Sequence, residues 1–113
     1  MKRLGRIVRG DVVVVPFPFS DLSQAKRRPT LVVATLTGND VILCQITSDA
    51  RKDAWAIAVE PTDISDGSLN KSSNIRPNRL FTCDSGIILY RVGSLRPGKL
   101  TLVLAKILEL FAP

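Results

Sequence analysis

At 113 residues, 45% hydrophobic and 23% charged, the chain has the balance of a folded protein with one hydrophobic core, which excludes intrinsic disorder. It has no histidine, and its two cysteines stand 39 positions apart at 44 and 83, which excludes zinc-finger spacings and a Cys–His nucleophile. Sixteen Lys and Arg against ten Asp and Glu leave a charge of +6, which favours a polyanionic partner, nucleic acid first, although the same excess also serves solubility.

One domain spanning 1–113 is expected, with Cys44 and Cys83 as buried thiols. The opening MKRLGRIVRGD meets charge before any apolar run, and no stretch approaches the roughly 18 apolar residues of a membrane span. A soluble, cytoplasmic protein without membrane contact is the expectation.

Asp11–Phe19, DVVVVPFPF, is a β-branched strand whose end Pro16 and Pro18 place at a sheet edge or bend. The polar, basic Ser20–Arg28 reads as a loop, and Pro29–Leu36 as the next strand. Thr37-Gly38-Asn39-Asp40 is turn chemistry, so Leu31–Leu36 and Val41–Ile46 should form a β-hairpin.

Trp55–Val59 is another short strand, with Trp55 expected in the core. The breaker-rich stretch from Glu60 to Asn74 should be a surface loop. Ile75–Thr82 and Ile87–Leu95 complete the strands, so a small barrel or sandwich is predicted. From Pro97 the pattern turns helical: Leu100, Val103, Leu104, Ile107, Leu108 and Phe111 share one face, while Leu102 and Leu110 lie off it.

Three segments carry a family resemblance. Gly10–Ala34 has a GD-strand leading through a polar loop to an RP-hydrophobic strand; QITSD follows at Gln45–Asp49 and NIRPNRLFT at Asn74–Thr82. Together and in this spacing they resemble the MazF/PemK family, toxins of type II toxin–antitoxin systems. The resemblance implies a mainly β fold, a small SH3-like barrel with a C-terminal helix of the CcdB/MazF type. It also implies sequence-specific cleavage of single-stranded RNA through the 2′-hydroxyl, without metal or cofactor, in a homodimer silenced by a cognate antitoxin.

By position, the resemblance makes Arg28, Thr47 and Arg76 the catalytic candidates, and Lys26, Arg27, Ser48, Asn78 and Arg79 candidates for RNA binding. The chemistry is coherent, because a guanidinium can hold two oxygens of a phosphate as charge accumulates on it, and a threonine hydroxyl can position the attacking group. Asn78 departs from the pattern: some members carry there an aspartate proposed as general base, and an amide cannot take up that proton. Asp21 or Asp49 could serve instead, or the rate could rest on phosphate stabilisation alone. Alternatives on the same fold are a catalytically silent nucleic-acid-binding module, a gyrase-directed toxin, or a protein that only holds a partner chain. Specificity is expected to lie in Ser20–Arg28, Asp49–Ala54 and Ser65–Ser73.

Overall fold

The computed structural model describes residues 6–17, 26–48 and 54–113. Pro18 and Phe19, the loop up to Ala25, and the candidate bases Asp21 and Asp49 lie outside the described residues. Seven strands follow in chain order: β1 (Asp11–Phe17), β2 (Lys26–Thr35), β3 (Asp40–Thr47), β4 (Ile57–Val59), β5 (Ile64–Ser65), β6 (Ser73–Asp84) and β7 (Tyr90–Leu95). One helix, α1 (Pro97–Phe111), ends the chain. Every pairing is antiparallel, in a curled sheet of order β4-β6-β3-β2-β1-β7-β5.

The run Val12 to Val15 does not alternate with polar residues because both faces of β1 are covered. Val12 joins Leu31, Cys44, Ile46, Ile75 and Val103 of α1 in one core; Val13 and Val15 join Val32, Val41, Leu43 and Ile88 in a second, on the other face. Bulges let a single sheet curl around these layers. Val92 is skipped between the β1 partners Gly93 and Arg91, Val33 between the β3 partners of β2, and Pro77, Asn78 and Arg79 between Arg76 and Leu80 of β6.

The β2–β3 hairpin forms as expected, with Gly38 at φ 80 in its turn. Lys26–Arg28 are not loop: they pair with Phe17, Pro16 and Val15 of β1. Backbone pairing with an adjacent strand outweighs the polar side chains there. β1 itself is an interior strand, yet β7 pairs with it only as far as Val14, so Pro16 has a neighbour on one side alone.

The stretch after Val59 is more than surface loop. Ile64 is buried in the first core because β5 pairs with the end of β7, and Ser73 is buried at the start of β6. Trp55 is half-buried, short of β4, with Lys106 Nζ of α1 5.4 Å from its ring centroid. It is therefore not a core residue; its ring lies under a cation from α1.

Pro97 opens α1 at its first turn. Lys99 Nζ donates to Ala58 O at 3.0 Å, and Arg96 Nε donates to Thr62 O at 2.8 Å, which holds the helix start against residues 58–62. Val103 is buried and Leu100, Leu104 and Ile107 pack partly, but Leu108 is 72% and Phe111 76% exposed, contrary to the predicted stripe. Periodicity sets which residues share a face, whereas the extent of the surface beneath sets how many of them are covered.

Both cysteines are free, and only Cys44 is fully buried; Cys83 is half-buried. The Cys44 thiol donates to Arg76 O at 3.0 Å, and burial pushes its pKa up to about 12. Burial first, then the nearby Asp84 and Asp40, raise Cys83 as well. Since the thiolate is the reactive form, Cys44 is expected to resist a thiol reagent at pH 8 until the chain unfolds, with Cys83 reacting first. The proton is held more tightly in the folded chain, so stability is expected to fall as pH rises from the ordinary thiol value towards 12. Timed labelling with and without denaturant checks the first expectation, and denaturation at pH 8 and 10 the second.

Candidate functional site

Strands β2, β3 and β6 lie side by side, and their registers set polar residues in rows. Thr30 lies opposite Gln45, and Gln45 opposite Arg76; two residues along, Thr47 lies opposite Asn74. Extending the β2–β3 register by two residues sets Arg28 opposite Thr47. Side chains at directly opposed positions share a face with Cβ atoms about 4.5–5.5 Å apart. Arg28, Thr47 and Asn74 thus form one row, and Thr30, Gln45 and Arg76 the row beneath it.

The rows are graded in exposure. Arg28, Thr47 and Asn74 are half-buried, whereas Thr30 is 1% and Arg76 7% exposed. Thr30 Oγ1 donates to Val13 O at 3.3 Å, and the Arg76 carbonyl accepts from Cys44, so the inner row is tied to the neighbouring backbone.

Because strand side chains alternate, Arg27 and Ile46 point away from these rows, and Ser48 follows directly on β3. They border a groove of about 560 Å³, within the usual size range of ligand sites. Its floor is apolar, from Val14, Ile46, Leu69 and Val92, and its rim carries Arg27, Ser48, Asn70, Lys71 and Tyr90. Arg28 borders the groove as well as the rows, so it belongs to both.

Arg91 ties one wall of the groove to the sheet. Its Nε donates to Asp11 Oδ1 at 3.1 Å, its second terminal nitrogen donates to Ser94 Oγ at 2.6 Å, and the other lies 3.1 Å from Asp66 Oδ2. Asp11 is 2% exposed and also accepts from Val8 N at 2.9 Å. The hydrogen bond to Asp11 leads the causes that raise the Arg91 pKa. With that charge answered locally, Arg27, Arg28 and Lys71 are the cations along the groove without a carboxylate in ion-pair range among the described residues.

The fold therefore brings Arg28, Thr47 and Arg76 together across three strands and sends Arg27 and Ser48 to the groove. Lys26 is exposed on the face of β2 that carries Arg28, two residues further out, and like the exposed bulge residues Asn78 and Arg79 it does not border the groove. Tyr90 and Arg91 escaped the sequence reading: an arginine two positions before glycine carries no signal of its aspartate 80 residues away. Asn70 and Lys71 fall in a stretch marked for specificity without a residue being singled out. No group of three His, Cys, Asp or Glu side chains among the described residues is placed to hold a metal ion.

A curled antiparallel sheet closed by one C-terminal helix is the MazF-type fold. An endoribonuclease from Mycobacterial species matches at TM-score 0.72 and 18% identity, over 99% of this chain and 98% of that one. An endoribonuclease in complex with its cognate antitoxin, also from Mycobacterial species, matches at 0.67 and 21%, over 96% and 100%. A MazE–MazF structure from Deinococcus radiodurans matches at 0.71 and 17%, over 93% and 95%. No curated protein matches the chain. The family model for PemK-like, MazF-like toxins of type II toxin–antitoxin systems matches residues 8–111, and the chain belongs to that family.

Proposed function

We propose that this toxin is a sequence-specific endoribonuclease that cuts single-stranded RNA, mRNA above all, and thereby stops translation and growth. The observation that carries the reading is the alignment of Arg28, Thr47 and Arg76 on one face of β2, β3 and β6. The endoribonuclease names of the structural neighbours support it.

In the proposed reaction the 2′-hydroxyl loses its proton to solvent and attacks the adjacent phosphorus, negative charge gathers on the non-bridging oxygens, and the 5′-oxygen of the next nucleotide leaves and takes up a proton from solvent, giving a 2′,3′-cyclic phosphate and a 5′-hydroxyl. Arg28 and Arg76 offer planar guanidinium groups to those oxygens. Thr47, opposite Arg28, positions a phosphate oxygen or the attacking hydroxyl without acting as acid or base. The groove beside Arg28 receives the flanking chain, its cations meeting phosphates.

The protein works in the cytoplasm, as a homodimer, and a cognate antitoxin silences it; two of the neighbours named above are toxin–antitoxin complexes. Exposed Leu102, Leu108 and Phe111 on α1 offer apolar surface to a partner. No described helix is long and apolar enough to cross a membrane.

Incubation of the purified protein with a long unstructured RNA in EDTA is expected to give discrete fragments bearing 5′-hydroxyl ends. Cleavage that required added magnesium, or left 5′-phosphates, would overturn the mechanism. Binding without cutting would make the protein a silent module.

A further inference from the structure

Tyr90 is the sole tyrosine, it is 45% exposed, and it stands at the rim of the groove where β7 begins opposite Val14. Its hydroxyl makes no hydrogen bond among the described residues. An aromatic ring that serves neither core nor hydrogen-bond network, in a groove with an apolar floor that the cations Arg27 and Lys71 also line, matches what an unstacked base needs. The ring supplies a stacking face, the floor excludes water, and the cations meet the flanking phosphates.

We propose that this groove is a base-binding subsite for a nucleotide flanking the scissile phosphate, with Tyr90 as its stacking face. The proposal deepens the RNA-cleavage reading and rests on it for the identity of the chain bound. Arg28 connects the two, because the residue that faces the cleaved phosphate also borders the groove.

The wall that packs on β7 beside Tyr90 is built in advance. Asp66 adopts φ 54, unusual for a residue with a side chain, and its carboxylate meets Arg91. Gly67 packs so close to Val92 and Gly93 that a Cβ there would lie 1.8 Å from Val92 O. Leu69 packs against the first core. A wall held at three points loses little freedom when a base enters, so contact energy goes into affinity.

The charge of the rim selects the occupant. Arg27 and Lys71 flank the apolar floor on a chain of net charge +6, which suits a nucleotide chain carrying one phosphate per base. An acidic peptide is the competing occupant, and the experiment separates the two.

Tyr90→Ala, Tyr90→Phe and Tyr90→Trp are compared with wild type on one RNA of mapped cut site, and by binding to the same RNA carrying a 2′-deoxy nucleotide at the cut. Leu89→Ala, at a neighbour that is 44% exposed and borders no part of the groove, is the control. Tyr90→Ala is expected to raise KM and Kd by about 5- to 150-fold, the range for loss of one stacked base, with kcat changed much less. The Phe and Trp variants should restore affinity, and Leu89→Ala should match wild type.

Replacing each base in turn by an abasic site should cost wild type affinity at one position where Tyr90→Ala pays no further penalty. Unchanged Kd in Tyr90→Ala, or equal abasic penalties in both proteins at every position, would overturn the subsite. So would weakened binding of a synthetic Glu- and Leu-rich peptide with RNA binding intact. A wild type that cuts no unmodified RNA, yet binds it with an affinity that Tyr90→Ala lowers and Tyr90→Trp restores, would refute the nuclease reading and leave the subsite standing.

Discussion

Arg28→Ala is expected to lower the rate of RNA cleavage a hundredfold or more while leaving the fold intact. The residue is half-buried, lies opposite Thr47 by extension of the hairpin register, and borders the groove, and in the proposed mechanism its guanidinium holds the scissile phosphate. Loss of one donor that stabilises charge in the transition state costs about 3–4 kcal/mol in comparable sites. An ordinary surface arginine would change stability by under about 0.5 kcal/mol and leave the rate alone. Arg28→Lys should recover only part of the rate, since a point charge does not replace the planar fork.

Thr47→Ala should also be severely impaired. Asn78→Ala should be milder, because Asn78 sits in the β6 bulge outside both the rows and the groove. Initial rates on one RNA, after circular dichroism has confirmed folding, provide the test. An Arg28→Ala variant that cut as fast as wild type would remove the proposed site and favour a silent binding module.

The second large effect concerns stability. Gly67→Ala is expected to destabilise the fold by about 3 kcal/mol or more, the upper range for overpacking. Its added Cβ would lie 1.8 Å from Val92 O and 2.8 Å from both Val92 C and Gly93 Cα, so backbone must move. That movement would part the 66–71 wall from β7. Gly38→Ala is the comparison: its φ is +80 but nothing lies within 4 Å of the added carbon, so only the left-handed backbone is penalised, at about 1–2 kcal/mol. Thermal melts followed by circular dichroism should rank Gly67→Ala well below Gly38→Ala and wild type. A Gly67→Ala melt equal to that of Gly38→Ala would refute the close contact.

Local chemistry made part of the architecture legible. Thr37-Gly38-Asn39-Asp40 turns the β2–β3 hairpin because glycine accepts the positive φ found there, and Pro97 begins α1 because its missing N–H needs no partner in a first turn. The three catalytic candidates came from family resemblance alone, since nothing in the periodicity of Arg28, Thr47 or Arg76 sets them apart from other strand residues.

Properties that depend on neighbours within a few residues were readable from the chain: the hairpin, the helix start, the valine run, and the β-rich class. What required the tertiary structure depends on partners distant in sequence. Lys26–Arg28 are strand because β1 pairs with them, and Arg27 and Arg28, adjacent in the chain, face opposite sides of the sheet. Ile64 is core because β7 reaches it 31 positions later, and Asp11 meets Arg91 across 80. Leu108 and Phe111 continue an apolar stripe and stay exposed because the surface beneath α1 does not extend to them. Side-chain type and spacing encode local conformation; which surfaces meet is decided by the packing of the whole sheet, and that packing also joins the row of catalytic candidates to the groove at Arg28.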